Sequence, residues 1–366
     1  MSAGGQATIS ATAAPNRTRL QRVAIIGCGF FAPNHARAWK SLEGAELVSV
    51  CDLDIHRAKA LAALAGGVPV YDDPSTMLDE CRPDVADIVT TAPSHRTLAQ
   101  LCVSRTISAI IQKPLSLDFR EALDIARLGT THDVPLMVHE NFRFQKPIRE
   151  LRSVIASGAI GTLHYCRIGF RSGYDIFQGQ PYLRDTERLV LMDNGVHVFD
   201  VARFLMGEID SLSCRTQRVR PDVRGEDMAT ALVSFASGAM GVVEASWGSF
   251  LPDDPFPETL IAVEGTHGSV VLDRHYQLSI RSRDALRSYS VEPAGPPWAE
   301  KPWHVVQDSV VAACRHWLDA AAGNVQLETS ALDNVNTLAA VEACYLSAAR
   351  NGAAVSIDEV FAVANA

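Results

Sequence analysis

Two short segments carry side chains that can hold or transfer a proton. Lys113 follows the apolar run Ala109–Ile111 and precedes Pro114. Asp193 and His197 are four residues apart, a spacing that places both on one face of a helix. A histidine, with an ordinary pKa near ~6.5, takes a proton from a hydroxyl group at neutral pH. An ammonium group stabilises a developing alkoxide, so these three residues form the candidate catalytic set.

The Asp193/His197 pair has two other interpretations. Asp193 can serve as the N-terminal residue of its helix while His197 packs as a hydrogen-bonded core histidine, and the motif alone favours this structural interpretation. Two side chains at helical spacing can also bind a metal ion, but no third ligand is evident and we expect no metal. Lys113 can be a surface lysine in a loop, an alternative that the preceding apolar run weakens.

A glycine-rich stretch predicts a dinucleotide cofactor. The apolar run Val23–Ile26 leads into Gly27-x-Gly29-x-x-Ala32, and the helix-compatible segment Asn34–Ser41 follows. In a strand–turn–helix unit, Gly27 makes the tight turn, Gly29 lets the backbone approach a pyrophosphate, and Ala32 keeps the helix close to the strand. The N–H groups at the start of such a helix favour an anion.

Asp52 indicates which dinucleotide binds. It follows the next apolar run, Leu47–Cys51, and lies 20 positions after Ala32. A carboxylate there accepts hydrogen bonds from a ribose 2′-hydroxyl and repels a 2′-phosphate, so NAD is preferred over NADP. The alternative is a turn of the same shape that binds no nucleotide.

Composition limits the class of protein. The chain of 366 residues is long enough for two domains, and its 47% hydrophobic and 20% charged residues are typical of a globular protein. A net charge of −9 without clustered Lys and Arg argues against nucleic acid as a partner. No apolar run approaches the ~20 residues that cross a bilayer. The eight cysteines stand singly, which favours a cytoplasmic location, and residues 1–19 are predicted to be a disordered tail.

From Arg22 to His139, short apolar runs alternate with helical segments, which predicts an N-terminal Rossmann domain with a doubly wound parallel sheet over residues 20–140. Ligands bind at the carboxyl ends of such strands, where the glycine turn, Thr91–His95 and Gln112–Pro114 meet. The predicted strands are Val23–Ile26, Leu47–Cys51, Val85–Thr90, Ala109–Gln112 and Leu136–Val138. The predicted helices are Asn34–Ser41, His56–Ala65, Pro74–Glu80, Arg96–Ser104 and Asp118–Thr131.

Residues 141–366 predict a second, α+β domain with a largely antiparallel sheet, because several strand-like runs follow one another closely. We expect one sheet face to be open and its Val, Ile and Trp side chains to favour a homodimer or homotetramer. The predicted strands are Thr162–Arg171, Ser211–Val219, Ala229–Phe235, Met240–Trp247, Thr259–Val263, Ser269–Leu272 and Gln277–Arg281. The predicted helices are Ile148–Ser157, Asp193–Met206, Val305–Ala322 and Ser330–Arg350.

Together these motifs resemble the glucose–fructose oxidoreductase, inositol dehydrogenase and rhizopine-catabolism family (Gfo/Idh/MocA). The resemblance implies an NAD(P)-dependent dehydrogenase that acts on a sugar, inositol or related polyol. It is carried by Gly27-x-Gly29-x-x-Ala32, Asp52, Thr91–His95, Lys113-Pro114, Arg143-Phe144 and Asp193-x-Gly195-x-His197. Its one departure is Gln112, where the family usually has Glu.

Two sets of binding residues complete the prediction. The expected cofactor contacts are Gly27, Gly29, Phe30, Phe31, Asp52, Thr91, Pro93, His95, Gln112 and Lys113. The expected substrate contacts are Asn141, Arg143, Tyr174, Asp193, His197 and His304. Asn141 and Arg143 are included because family members often place contacts there. Tyr174 and His304 are included because sugar pockets combine aromatic faces with hydrogen-bonding groups.

The expected mechanism is hydride transfer to the nicotinamide. His197 removes the hydroxyl proton, Lys113 stabilises the alkoxide and Asp193 orients the substrate and His197, although the roles of His197 and Lys113 are exchangeable. Three alternatives remain: a glycosidase with tightly held NAD, a reductase of a keto-sugar, and an NAD-sensing regulator. A regulator need not keep all three candidate residues.

Overall fold

The computed structural model describes residues 20–365, and the tail predicted for residues 1–19 lies outside them. The first half of the described chain forms a six-stranded parallel sheet in the order β3-β2-β1-β4-β5-β6. Its strands are β1 (Gln21–Ile26), β2 (Ala45–Cys51), β3 (Val70–Tyr71), β4 (Val85–Ile88), β5 (Ser108–Gln112) and β6 (Leu136–His139). Its helices are α1 (Ala32–Ser41), α2 (Ile55–Ala65), α3 (Pro74–Cys81), α4 (His95–Val103) and α5 (Phe119–His132).

The predicted Rossmann domain is confirmed, and local side chains explain its boundaries. The carboxylates of Asp54, Asp73 and Asp118 each accept a backbone N–H at the start of α2, α3 and α5. Gly66 ends α2 with a φ of +102°, a conformation that costs glycine little. Only β3 lacked a prediction in this half, since a two-residue strand has too little hydrophobic pattern to recognise.

The second half forms a nine-stranded sheet in the order β14-β13-β12-β11-β7-β10-β9-β8-β15, in which only β7 and β10 pair in parallel. This confirms the largely antiparallel prediction. Its strands are β7 (Leu163–Arg171), β8 (Ile209–Gln217), β9 (Met228–Phe235), β10 (Met240–Ser246), β11 (Leu260–Gly265), β12 (Gly268–Asp273), β13 (Gln277–Ser282), β14 (Leu286–Ser290) and β15 (Val355–Ser356). The remaining helices are α6 (Lys146–Ala156), α7 (Val196–Met206), α8 (His304–Ala321), α9 (Ala331–Ala349) and α10 (Ile357–Asn365).

Helices cover one face of the second sheet and leave the other accessible. Helix α7 packs on β7 and β10, and α9 packs on β8. On the other face, Leu232 and Met240 are exposed beside an ion-pair cluster in which Glu244 binds Arg167 and Arg171. The prediction that a tryptophan lies on this open face is wrong for Trp247, because its side chain is 4% exposed and packs in the core. The open face is therefore a mixture of apolar and charged side chains.

Helix α8 returns to the first domain. Its Val310, Cys314 and Trp317 are buried in the same hydrophobic cluster as Trp39 of α1 and Val23 of β1. The chain therefore enters the second domain at residue 140 and later sends one long helix back across the Rossmann sheet. This helix therefore attaches the C-terminal part of the chain to the first domain.

Three further features concern location and ligands. Within residues 20–365, no helix is long and apolar enough to cross a membrane. In the same range, no three His, Cys, Asp or Glu side chains converge as ligands of a metal ion. All eight cysteines are free, and seven of them are buried.

Candidate active site

The fold brings the three candidate catalytic residues together from distant parts of the chain. Lys113 directly follows β5, Asp193 lies in a turn before α7, and His197 lies in the first turn of α7. The Nζ atom of Lys113 donates to Asp193 Oδ1 at 3.0 Å and to the Asp193 backbone oxygen at 2.6 Å. Two of the three ammonium protons are thereby engaged, which leaves one for a substrate oxygen.

Asp193 does not begin a regular helix as predicted. Residues Leu191–Gly195 form a single π-helical turn, and α7 starts only at Val196 without a side-chain cap. The carboxylate of Glu226 holds the turn by accepting the backbone N–H groups of Leu189 and Leu191. Wide turns of this kind are frequent at functional sites. Here the turn directs Asp193 towards Lys113 instead of towards its own helix.

A tryptophan fixes the second oxygen of Asp193. The indole Nε1 of Trp247, which directly follows β10, donates to Asp193 Oδ2 at 3.1 Å. The ring packs edge-on against Phe170 at 5.2 Å between centroids. Both carboxylate oxygens of Asp193 are therefore engaged, one by an ammonium and one by an indole. This role of Trp247 could not be predicted from the sequence, since nothing local marks a contact 54 positions away.

A different carboxylate orients His197. The Nδ1 atom of His197 contacts Oε1 of Glu140, which is fully buried, and the ring of Phe142 stacks on the imidazole at 4.0 Å with an angle of 4°. The predicted orienting role of Asp193 is therefore corrected, because its oxygens bind Lys113 and Trp247. Glu140 follows the carboxyl end of β6, and the same parallel-strand rule that selected Lys113 could have selected it.

Burial sets the protonation states of these groups. Desolvation raises the pKa of Glu140 to about 8. Desolvation, followed by the nearby Lys113, lowers the pKa of His197 well below its ordinary value. Burial alone would lower the pKa of Lys113, but attraction to Asp193 and the hydrogen bond between them outweigh it and raise that pKa. At neutral pH the site therefore contains an ammonium group and a neutral imidazole.

The glycine turn has the shape that a dinucleotide requires. Gly27 has a φ of +97°, and a Cβ there would lie 2.7 Å from the backbone oxygen of Val89. A Cβ on Gly29 would meet no atom within 4 Å, so the space beside it is open to a pyrophosphate. The Oδ2 atom of Asp52 accepts the Cys28 N–H at 2.7 Å, which places the carboxylate at the edge of this space. The residues present therefore fit NAD.

Asp52→Asn is expected to weaken the discrimination against NADP. The amide keeps the shape of the side chain and removes the charge that repels a 2′-phosphate, so the ratio of kcat/KM for NAD to that for NADP should fall by about 10²-fold. The neighbouring exposed Asp54, which caps α2, provides the control Asp54→Asn, for which the ratio should stay unchanged. Equal ratios in the two variants would contradict the assignment of Asp52.

The other predicted cofactor contacts fall into two groups. Phe30 is 55% exposed at the glycine turn, the Phe31 ring lies beside His35, and Thr91 and Pro93 are exposed on the loop after β4. His95 does not belong with them, because it is fully buried and its ring nitrogens lie 3.1 Å from Leu115 O and 3.2 Å from Thr90 O. This histidine anchors the loop and has no ring nitrogen left for a ligand.

Gln112 holds the backbone on which Lys113 is carried. Its Oε1 accepts the Lys113 N–H at 2.9 Å, and its Nε2 lies 3.3 Å from Nε2 of His35. Since the amide nitrogen donates, His35 accepts there and its Nδ1–H donates to Asp87 at 2.8 Å. Gln112 therefore links Lys113 to the buried pair of His35 and Asp87.

Aromatic side chains form a cluster between Asp193 and the glycine turn. Tyr174 stacks on Phe256 at 3.9 Å and contacts Trp303 edge-on at 5.9 Å. Trp303 in turn lies 6.4 Å from Phe30 of the glycine turn, between ring centroids. Tyr174 thus remains a candidate substrate contact, now as part of a wall that reaches from one domain to the other.

Three predicted substrate contacts have other partners. Asn141 is buried and donates to Ser309 of α8 at 2.8 Å. Arg143 is 5% exposed and forms a two-bond ion pair with Asp200. His304 is buried, with Nε2 3.1 Å from Glu292. Each of the three therefore has a partner within the protein, and their contacts with a substrate stay predictions.

Comparison with known proteins assigns each half of the chain to a protein family. Residues 21–140 match the model of an oxidoreductase family with an NAD-binding Rossmann fold, and residues 148–271 match a GFO/IDH/MocA C-terminal domain. A D-apiose dehydrogenase of Rhizobium rhizogenes is 42% identical over 93% of this chain and 99% of its own length. A D-apiose dehydrogenase of Paraburkholderia graminis is also 42% identical, over 94% of this chain and 91% of its own length. An oxidoreductase from Agrobacterium radiobacter, solved with NAD+, L-tartaric acid and magnesium, is 41% identical with a TM-score of 0.91, covering 93% of this chain and 99% of that one.

Proposed function

The chain belongs to the GFO/IDH/MocA oxidoreductase family, and on that premise we propose that it is an NAD-dependent dehydrogenase of D-apiose. The broader assignment, an oxidoreductase that acts on CH–OH groups with NAD, follows from the family and agrees with the sequence analysis. The finer assignment to D-apiose rests on the two relatives of 42% identity, which match more than nine-tenths of the chain.

The charges around the site support a neutral sugar. The ammonium of Lys113 is already paired with Asp193, so it offers no unpaired charge to an acidic substrate. In the segment 172–190, which lies before Asp193 in the chain, Arg184 pairs with Asp222 and Arg188 pairs with Glu342. A sugar acid or sugar phosphate needs a cation that is free to bind it, whereas a neutral sugar needs only hydrogen bonds.

The aromatic wall supports a sugar in the same way. Tyr174, Phe256 and Trp303 present faces and edges against which the C–H groups of a sugar ring can pack. The indole of Trp247 belongs to the same cluster and is bonded to Asp193. Apolar packing and the orientation of the catalytic carboxylate therefore depend on one group of rings.

The roles of the side chains follow from their protonation states. NAD bound at the glycine turn and Asp52 supplies the hydride acceptor. Lys113, an ammonium, donates to the substrate oxygen and stabilises the developing alkoxide. His197, a neutral imidazole, takes the hydroxyl proton. The alternative, in which Lys113 takes the proton and His197 stabilises the alkoxide, is disfavoured because a lysine with a raised pKa is a poor base.

A substrate panel tests the proposal. D-apiose, D-glucose, myo-inositol and D-glucuronate are offered with NAD+ or NADP+, and the absorbance of the reduced cofactor is followed. The expected result is the highest kcat/KM for D-apiose with NAD+ and the lowest for the uronate. A higher kcat/KM for myo-inositol would move the assignment to an inositol dehydrogenase. A glycoside of D-apiose is offered in a separate assay, and its cleavage without net NADH release would identify the glycosidase alternative.

The remaining assignments concern organisation. We place the NAD-binding domain at residues 20–140 and the substrate-binding and oligomerisation domain at residues 141–366, supported by the end of β6 at His139. The open face of the second sheet supports a homodimer or homotetramer, since Leu232 and Met240 are exposed there. Eight free cysteines support a reducing, cytoplasmic location.

A further inference from the structure

A buried carboxylate lies directly against the candidate catalytic histidine. Glu140 is 0% exposed, and its Oε1 contacts Nδ1 of His197. Its Oε2 is buried and has no hydrogen-bond partner anywhere in residues 20–365. Most buried polar atoms have a partner, and one that lacks a partner points to a function or a missing proton. Packing alone therefore does not explain why a glutamate occupies this position.

The histidine ring is held so that one nitrogen faces Glu140 and the other is free. Phe142 stacks flat on the imidazole, which favours this ring orientation. Because Nδ1 is engaged by Glu140, Nε2 is the nitrogen left for a substrate hydroxyl, and within the described chain it makes no hydrogen bond. A proton that arrives at Nε2 can thus be balanced by one that leaves from Nδ1.

We propose that Glu140 is a positioning residue for His197 and also the group that finally holds the substrate proton. This rests on the proposed dehydrogenase function. The O–H bond of the sugar breaks and its proton joins Nε2 of His197, while the Nδ1 proton passes to Oε1 of Glu140. The adjacent C–H bond breaks and hydride goes to NAD+, so that a C=O bond forms. The imidazole ends neutral, as the other tautomer.

The surroundings favour Glu140 over His197 as the group that holds the substrate proton at the end of the reaction. Burial disfavours charge on both groups, and it raises the pKa of Glu140 to about 8 while lowering that of His197. Oxidation requires ionised Glu140 at the start, so its rate should rise as the pH passes through about 8. The titratable and charged groups that face the pair are Lys113 after β5, His139 and Arg143 on either side of Glu140, Asp193 in the π-helical turn, and Asp200 in α7.

Glu140→Gln tests the proposal, because glutamine keeps the size and an acceptor oxygen but cannot take a proton. We expect kcat for sugar oxidation to fall by about 10²–10³-fold, with KM and NADH affinity nearly unchanged, and the rise near pH 8 to disappear. The control is Glu342→Gln, another largely buried glutamate with a raised pKa, which pairs with Arg188 away from His197. A Glu140→Gln enzyme with wild-type kcat and pH profile would overturn the proposal.

Nitrogen NMR of the wild-type enzyme, with its histidine side chains isotopically labelled with nitrogen-15, gives a readout that needs no substrate. Below pH 8, protonated Glu140 donates to Nδ1 and His197 carries its proton on Nε2; above pH 8, ionised Glu140 accepts and the proton moves to Nδ1. The His197 signal, assigned by its loss in His197→Gln, should change tautomer across this range. A single tautomer from pH 6 to 10 would overturn the proposal. If no sugar is oxidised, the proposed function fails, and the tautomer change still tests Glu140 separately.

Discussion

Lys113→Met is expected to lower kcat for sugar oxidation by about 10²–10³-fold, the usual cost of removing one donor to a developing oxyanion. Methionine keeps most of the length of the side chain and removes the charge and the hydrogen bonds to Asp193. The KM for the sugar should change less than kcat, since the ammonium acts mainly on charge that develops during the reaction. Steady-state kinetics together with NADH fluorescence titration measure both effects.

The matched control for Lys113 is Lys59→Met, which removes an exposed lysine from α2. Its kcat should match that of the wild type, because it has no contact with the site. If Lys113→Met also retained wild-type kcat, Lys113 would have no role in the chemistry. If it lost only NADH affinity, its role would lie in binding the cofactor.

Lys113 could be predicted from the sequence because the residues next to it mark the end of a strand. The topology of a parallel sheet then fixes where that end lies. An apolar run followed by a polar residue marks the end of a strand, and in a parallel sheet all such ends meet at one edge. The same logic applies to the glycine turn and to Asp52. The fold was predictable for a related reason, since buried strands and amphipathic helices leave a periodic pattern.

The contacts of Asp193 and His197 were not predictable in this way. Spacing of four residues placed the two on one helix face, but it did not reveal the π-helical turn that separates them. That turn is held by Glu226, whose carboxylate reaches backbone groups 35 and 37 positions away. The identity of a tertiary partner leaves no mark in the local pattern, so the contact of Trp247 with Asp193 and that of Glu140 with His197 became visible only in three dimensions. The position of Glu140 at a strand end could still have marked it as a candidate.

Arg143 shows how a resemblance can leave a tertiary partner unseen. It was predicted as a substrate contact because members of the resembled family often place contacts there, and the sequence does not show which group pairs with its charge. In the structure its guanidinium is buried and faces Asp200, whose Oδ1 also accepts from Thr337. Glu140/His197 and Arg143/Asp200 have the same separation in sequence, 57 positions, so they are successive contacts between one short segment and α7. Arg143 therefore links the segment that carries Glu140 to α7.

Arg143→Met is expected to destabilise the protein by about 3–5 kcal/mol, because it leaves the carboxylate of Asp200 buried without its cation. The control is Arg149→Met, which breaks a half-exposed ion pair with Glu328 and should cost only about 0–1 kcal/mol. The two arginines are closely matched, since both also lie over the ring of Phe204. Urea denaturation compares the two variants: at an unchanged slope of the unfolding free energy against urea concentration, the shift of the midpoint measures the lost stability.

A second substitution separates the structural role of Arg143 from a role in binding. Adding Asp200→Leu to Arg143→Met removes the stranded carboxylate, so most of the lost stability should return, as it does when a buried ion pair is replaced by apolar side chains. Activity should return with it, because α7 again packs against the segment that carries Glu140. A double variant that is stable but has a greatly raised KM for the sugar would instead place Arg143 on the substrate, as the sequence had predicted. In that case the guanidinium would have to leave Asp200 when the sugar binds, and the buried pair would be a resting arrangement of the free enzyme.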